Sequence, residues 1–321
     1  MDRRKFLEMS GVAAVGGASG TIASAHPLEW PHEHLASGAV VPTGKLLTRK
    51  IPSTGEALPV IGLGTSGPFE VSADESVRAP LREVLQGFFL GGATLIDTSP
   101  MYSTAEAVLG DLLTPAQQTK AFIATKVWTP GSGGHGEAKG IEQMQRSMSL
   151  LKHQRIELMQ VHNLVDLDVH LKTLRRWKAE GKIKYIGVTH YTTSSYPDLI
   201  NLIQRENIDF VQFNYSVTTR EAEQKLLPLC ADKGVAVLIN RAFEDGNLFT
   251  RVQGKPVPAW AAEFDAKSWA QVFLKFVIAH PAVTCVIPAT GKIKNLADNL
   301  AAGMGKLPDA KQRAQIIAAV G

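Results

Sequence analysis

Eight short apolar runs, each divided from the next by a stretch with helical spacing, constrain this chain more than any other feature. The runs are 58–64 (LPVIGLG), 93–97 (ATLID), 121–126 (AFIATK), 156–162 (IELMQVH), 183–189 (IKYIGVT), 209–215 (DFVQFNY), 235–240 (VAVLIN) and 284–289 (TCVIPA). They are rich in β-branched residues and almost continuously apolar, as parallel strands covered on both faces are. Between them, residues 81–90, 106–113, 141–151, 171–181, 196–207, 221–234 and 268–280 repeat apolar side chains every three or four positions. Gly181 and Gly234 stand where two of these helices should stop, and 293–300 and 310–320 supply the last helices. Eight strand–helix units predict an α/β fold, a (β/α)8 TIM barrel formed as one domain over 46–321. The alternative, an open doubly wound sheet, calls for a glycine fingerprint at the first strand–helix turn, which 62–68 (GLGTSGP) only loosely imitates. Residues 46–63 have the makings of a hairpin closing the barrel bottom, and the insert 241–265 should lie over its mouth.

Composition narrows the partners. The chain has 321 residues, 45% of them apolar and 20% charged, which is enough core material to exclude wholesale disorder. A net charge of +4 without a Lys/Arg stripe gives no reason to expect a nucleic-acid partner. Cys230 and Cys285 sit inside apolar runs and read as buried thiols, and no Cys/His cluster has zinc-ligand spacing, so no metal is expected. Residues 129–137 (TPGSGGHGE) imitate a phosphate-binding loop, but no Lys-Ser/Thr follows and His135 has no partner at ligand spacing; a flexible loop is the expectation. Trp177, in mid-helix, reads as core.

The N-terminus reads as an address. Arg3-Arg4 precede Lys5-Phe6-Leu7, then a Gly/Ala-rich stretch over 9–22, then Ala23-Ser24-Ala25 as a small-residue cleavage site. Residues 1–25 thus resemble a twin-arginine signal peptide, followed by a flexible arm over 26–45. Passage of the folded protein through the twin-arginine export machinery into the periplasm is the expectation, with membrane tethering if the leader stays uncleaved.

Chemistry in an α/β barrel sits at the C-terminal ends of its strands. The first polar residues after the apolar runs are Asp97 with Tyr102 five residues on, Lys126, His162, Thr189-His190, Gln212, Asn240-Arg241 and Thr290. Buried charges are costly unless paired, so Asp, Lys and His ending three consecutive strands are poorly explained as packing. Asp97 would hold Lys126 charged and in place. The ammonium would favour the phenolate of Tyr102 and lower its pKa. Tyr102 could then protonate a developing alkoxide while His162 orients the carbonyl oxygen. Such a site polarises C=O but supplies no hydride, so it needs a nicotinamide cofactor.

Over about residues 46–302 the sequence resembles the aldo-keto reductase family. IDTSPMYSTAEAVLG (96–110) is similar to the family's D-T-A-x-x-Y-G-x-A-E-x-x-L-G segment, FIATKVW (122–128) to its A-T-K-V element, and ELMQVHNLVD (157–166) to L-x-x-x-H-x-x-D. GKIKYIGVTHYTTS (181–194) resembles G-K-I-R-x-I-G-V-S-N-F, and 211–238 and 280–302 resemble the last two blocks. The resemblance implies a barrel that uses NADPH to reduce a small aldehyde or ketone, with a catalytic tetrad at Asp97, Tyr102, Lys126 and His162. It places Thr189-His190 where a Ser-Asn pair usually holds the nicotinamide carboxamide, keeps Gln212, and puts Asn240, next to Arg241, where an aromatic ring usually stacks, with Phe243 as a substitute. Thr290, Lys292 and Lys294 fall in the phosphate segment, where lysines replace the usual Arg at the 2′-phosphate, so NADH is the alternative cofactor. Asp298 and Asn299 fall on the adenine side. Trp128 is expected as a substrate-pocket wall, and Trp260 and Phe264 as caps. The alternative function is a catalytically weak nucleotide-binding barrel acting as sensor or partner-binding module.

Overall fold

The computed structural model describes residues 35, 38, 40–42, 44–129 and 136–321. Residues 1–25, read as a leader, most of the arm, and 130–135 of the glycine loop with His135 lie outside them. The run at 58–64 divides between two structures. β1 (Thr48–Lys50) and β2 (Ala57–Pro59) form an antiparallel hairpin, as the sequence suggested, and β3 (Leu63–Gly64) is the first barrel strand.

β4 (Leu95–Asp97), β5 (Phe122–Val127), β6 (Ile156–His162), β7 (Ile183–Thr189), β8 (Phe210–Asn214), β9 (Ala236–Asn240) and β10 (Cys285–Val286) follow β3, each parallel to its predecessor. Parallel bridges Ile61–Val286 and Gly64–Ala289 join the last strand to the first, and Gly62 and Gly64 N–H donate to Val286 and Pro288 carbonyls. The sheet is thus closed as a (β/α)8 barrel. Closure needs glycine: a Cβ on Gly64 would lie 2.7 Å from the Ile287 carbonyl oxygen.

The helices are α1 (Glu75–Leu90), α2 (Ala105–Leu112), α3 (Pro115–Lys120), α4 (Gly136–Leu151), α5 (Leu167–Ala179), α6 (Tyr196–Arg205), α7 (Leu226–Lys233), α8 (Asn247–Arg251), α9 (Trp269–Ile278), α10 (Ile293–Ala302) and α11 (Ala310–Val320). Several of them depart from the expected spans, α4 and α5 by starting four or five residues early. α1 starts six residues before 81, because Asp74 caps it by accepting from Ser76 N–H and because Pro80 falls in its second turn. The stretch 221–234 divides into a 3-10 turn at Glu221–Glu223 and α7, which ends at Gly234 with φ 65°. α3 and α8 are too short to show apolar periodicity; α3 is held by a capping box between Thr114 and Gln117. No helix among the described residues is long and apolar enough to cross a membrane.

Strand side chains alternate between two cores. Outward residues such as Ile96, Ile123, Met159 and Val211 pack under the helices, together with Trp177. Inward residues fill the barrel bottom: Leu95, Phe122, Leu158, Tyr185, Phe210, Ala236, Leu238 and Cys285, sealed below by Ile51 and Leu58 of the hairpin. Each large apolar side chain buried there contributes about 1.5–3 kcal/mol relative to exposure. Cys230 and Cys285 are both buried free thiols, as expected.

Candidate active site

The same alternation continues up the barrel and changes character. Two residues above Leu95 comes Asp97, and two above Ala124 comes Lys126. Gln160 and then His162 follow Leu158, Gln212 follows Phe210, and Asn240 follows Leu238. The upper inward layers are therefore polar and almost fully enclosed: Asp97 is 3% exposed, Lys126 0% and His162 5%. Groups this deep must satisfy each other.

They do so around Asp97. Lys126 Nζ donates to Asp97 Oδ1 at 2.8 Å and to the Thr98 carbonyl at 2.6 Å. Asp97 Oδ2 accepts from Gln212 Nε2 at 2.8 Å and Gln160 Nε2 at 3.3 Å. Gln212 Oε1 accepts in turn from Thr189 Oγ1 at 2.8 Å and Asn240 Nδ2 at 3.3 Å. Sequence reasoning missed Gln160; stepping back two residues from His162 along β6 would have found it.

Tyr102 reaches this layer from the turn between β4 and α2, where its N–H donates to the Ser99 carbonyl at 3.0 Å. Lys126 Nζ lies 5.4 Å from the centre of its ring, and the His162 ring lies edge-on at 6.3 Å. Contrary to expectation, the phenol is pushed above its ordinary value of 10, by burial first and then by the Asp97 and Glu70 charges. Lys126 directs protons to Asp97 and Thr98, so its charge does not prevail over burial. Tyr102 is accordingly the neutral, proton-bearing phenol that a general acid must be.

His162 moves the other way. Burial, then the positive charges of Lys126 and His190, lowers it from 6.5 to about 3. The imidazole is neutral at physiological pH, so kcat/KM for carbonyl reduction should show no acid limb from His162 between about pH 5 and pH 8. Stability carries the opposite signature. The unfolded imidazole takes up its proton near 6.5 and the folded one only near 3, so His162's contribution is complete above 6.5 and is lost as pH falls toward 3. Melting temperatures recorded from about pH 8 to about pH 4 should decline less steeply in His162→Gln than in the wild type. Equal slopes would refute the assignment.

These groups form the floor of a cavity of about 820 Å³. Thr189, Gln212 and Asn240 line it beside Asp97, Tyr102 and His162, and Thr290 before the start of α10 and Asn295, Asp298 and Asn299 within that helix line it as well. Arg241, Phe243, Asp245 and Phe249 of the long insert also line it, and that segment, expected as a loop, carries α8 and 3-10 turns at Glu244–Gly246 and Ala259–Phe264. Arg241 pairs with Asp245 and lies over the Tyr191 ring at 5.7 Å.

Several expected residues are placed elsewhere, and Asp298, although it lines the cavity, is already engaged. His190 does not line the cavity. Its Nδ1 accepts from the N–H groups of Tyr191 (3.0 Å) and Thr192 (3.3 Å), and its Nε2 meets Ser195 Oγ at 3.1 Å, so the ring closes the turn into α6. Only its carbonyl serves the site, accepting from Asn240 Nδ2 at 3.2 Å. Lys292 is the N-cap residue of α10 and Lys294 is exposed in its first turn; neither lines the wall, although Thr290 and Asn295 around them do. Asp298 is tied to Ser268 Oγ at 2.7 Å and Gln271 Nε2 at 2.6 Å, bracing α10 against α9. Trp128 stands behind the lining, its ring 6.4 Å from His162. Phe264 is fully buried and Trp260 packs beside it on the core, so neither caps the cavity. Two aromatics that the sequence did not single out, Tyr191 and Phe249, occupy the mouth instead.

A closed barrel whose cavity floor holds a neutral tyrosine beside a buried Lys–Asp pair and a neutral histidine is the apparatus of an oxidoreductase acting on C=O and CH–OH groups. The chain belongs to the aldo/keto reductase family, whose model matches residues 60–318. It is 28% identical over 250 residues to methylglyoxal reductase YeaE of Escherichia coli (strain K12), covering 76% of this chain and 85% of that one. It is also 28% identical over 300 residues to probable aldo-keto reductase 1 of Glycine max, covering 78% and 85%. Among solved structures, an aldo/keto reductase from Klebsiella pneumoniae in complex with NADP and acetate superposes with a TM-score of 0.68 at 24% identity, covering 83% of this chain and 93% of that one.

Proposed function

We propose that the protein reduces a small aldehyde or ketone to an alcohol with NADPH, Tyr102 delivering the proton to oxygen. The observation that carries this reading is the meeting of Asp97, Tyr102 and His162 on one cavity floor, with Lys126 buried behind them against Asp97 and 5.4 Å from the Tyr102 ring centre. The cavity suits a dinucleotide: it runs from the Thr189–Gln212–Asn240 group to the first turns of α10, and the Asn240 Oδ1 acceptor there is buried without a partner among the described residues. When bound, NADPH supplies the hydride to the carbonyl carbon. Thr189, Gln212 and Asn240 would hold the nicotinamide end, and Thr290, Asn295 and Asn299 the other.

The chain's own groups handle the oxygen. His162 presents a neutral imidazole as a hydrogen-bond donor to it. Tyr102 transfers its proton as negative charge builds there, while the positive charge of Lys126, anchored by Asp97, stabilises the phenolate left behind. Methylglyoxal, the substrate named for the E. coli relative, is a sensible first test compound. Full-length protein should consume NADPH, followed at the nicotinamide absorbance band, in the presence of methylglyoxal or a reactive aromatic aldehyde. Binding of NADPH without turnover on any carbonyl would favour the sensor reading.

The 2′-phosphate falls to the α10 start, where the helix dipole and the two lysines both favour an anion. Lys292→Ala combined with Lys294→Ala should weaken NADPH about tenfold and NADH less than about twofold, read by fluorescence titration. Equal losses would remove the lysines from this role. Export rests on the sequence of residues 1–25: Arg3-Arg4 with a small-residue cleavage site supports a periplasmic location. N-terminal sequencing of protein recovered from the periplasm should begin at His26, and a start at Met1 would indicate tethering.

A further inference from the structure

Ser99 stands two residues beyond Asp97, where the similar family segment carries alanine, and it is fully buried. Its Oγ lies 3.0 Å from His162 Nδ1 and accepts the Met101 N–H at 3.1 Å. A serine hydroxyl has a single proton to give. The Met101 N–H occupies the oxygen as a donor, so the hydroxyl proton needs an acceptor, and His162 Nδ1 is the one within reach among the described residues. A neutral imidazole that accepts at Nδ1 must carry its proton at Nε2. Nε2 makes no hydrogen bond to a described residue, and His162 lines the cavity.

We propose that Ser99 is a positioning residue that locks His162 in the Nε2–H tautomer, aiming one N–H donor at the substrate's carbonyl oxygen. The inference rests on the reductase reading and sharpens it. With the opposite tautomer, Nε2 would face the carbonyl oxygen lone pair to lone pair, and the site would repel what it must polarise. Ser99 prevents this without touching substrate. Its own geometry is set in turn by the Met101 N–H, within the same turn that carries Tyr102.

The test separates this role from a merely structural one. Nitrogen-15 NMR of imidazole-labelled free enzyme, with His162→Gln to assign the signals, should show His162 Nδ1 as the unprotonated nitrogen and Nε2 as the protonated one. In Ser99→Ala both tautomers should appear. That variant should lose about tenfold in kcat for carbonyl reduction, with the NADPH dissociation constant nearly unchanged and the melting temperature lowered by only a few degrees, as one lost buried hydrogen bond predicts. Wild-type His162 protonated at Nδ1 would overturn the proposal, as would Ser99→Ala with an unaltered tautomer and kcat. The tautomer is read without turnover, so failure of the reductase reading would appear separately, as an inactive wild type with the spectrum expected above.

Discussion

Tyr102→Phe is expected to lower kcat for carbonyl reduction by about 10²–10⁴-fold, the range that a positioned general acid contributes. The Kd for NADPH should stay within about twofold. The ring keeps its place, edge-on to His162 at 6.3 Å and beneath Lys126, and only the proton leaves. Thr189 gives its own hydroxyl proton to Gln212 and is not free to replace it. Steady-state rates with a reactive aldehyde, paired with a fluorescence titration of NADPH, check both halves. Retention of most of the activity would sink the proposed mechanism, whereas loss of cofactor affinity would mean that the ring does more than carry a proton.

Lys126→Met should abolish activity and also destabilise the fold, by about 3–5 kcal/mol. Lys126 is fully buried and supplies the positive half of the pair with Asp97, so its loss leaves a carboxylate in the barrel with only the Gln160 and Gln212 amides. Adding Asp97→Asn should restore most of that stability, because a neutral pair carries no uncompensated charge. It should restore no activity, because the ammonium next to Tyr102 is still missing. Denaturant unfolding of the two single variants and the double variant, with rates measured in parallel, separates stability from chemistry. A double variant no more stable than Lys126→Met would show that the pair does not account for the loss.

Much of this site was legible because barrel strands obey a period of two. Polar residues that end the apolar runs or interrupt them in phase are the upper inward layers, so Asp97, Lys126, His162 and Asn240 announce themselves by ending a run and Gln212 by interrupting one. His190 misled for the same reason: it also ends a run, but it falls one residue past Thr189, on the opposite phase, and turns to cap the backbone of α6. The pKa of Tyr102 was not legible either, since the sequence shows the nearby lysine but not the depth of burial that outweighs it. Ser99 was visible as a residue and invisible as a partner, because its contact with His162 joins positions 63 apart. The division of 58–64 between hairpin and barrel escaped the pattern because both halves are apolar.

The Asp97 network joins residues of six strands, β4 to β9, through Lys126, Gln160, Thr189, Gln212 and Asn240. A drift at any one member orphans a buried partner, so the reaction resists gradual retuning, while the Arg241–Phe249 cover at the mouth stands outside the network and is free to vary. For anyone redesigning the enzyme, the barrel floor is the chassis and the mouth is the interchangeable part. Libraries confined to the mouth should yield new substrate preferences at intact folding yield, and libraries that enter the floor should return mostly misfolded protein.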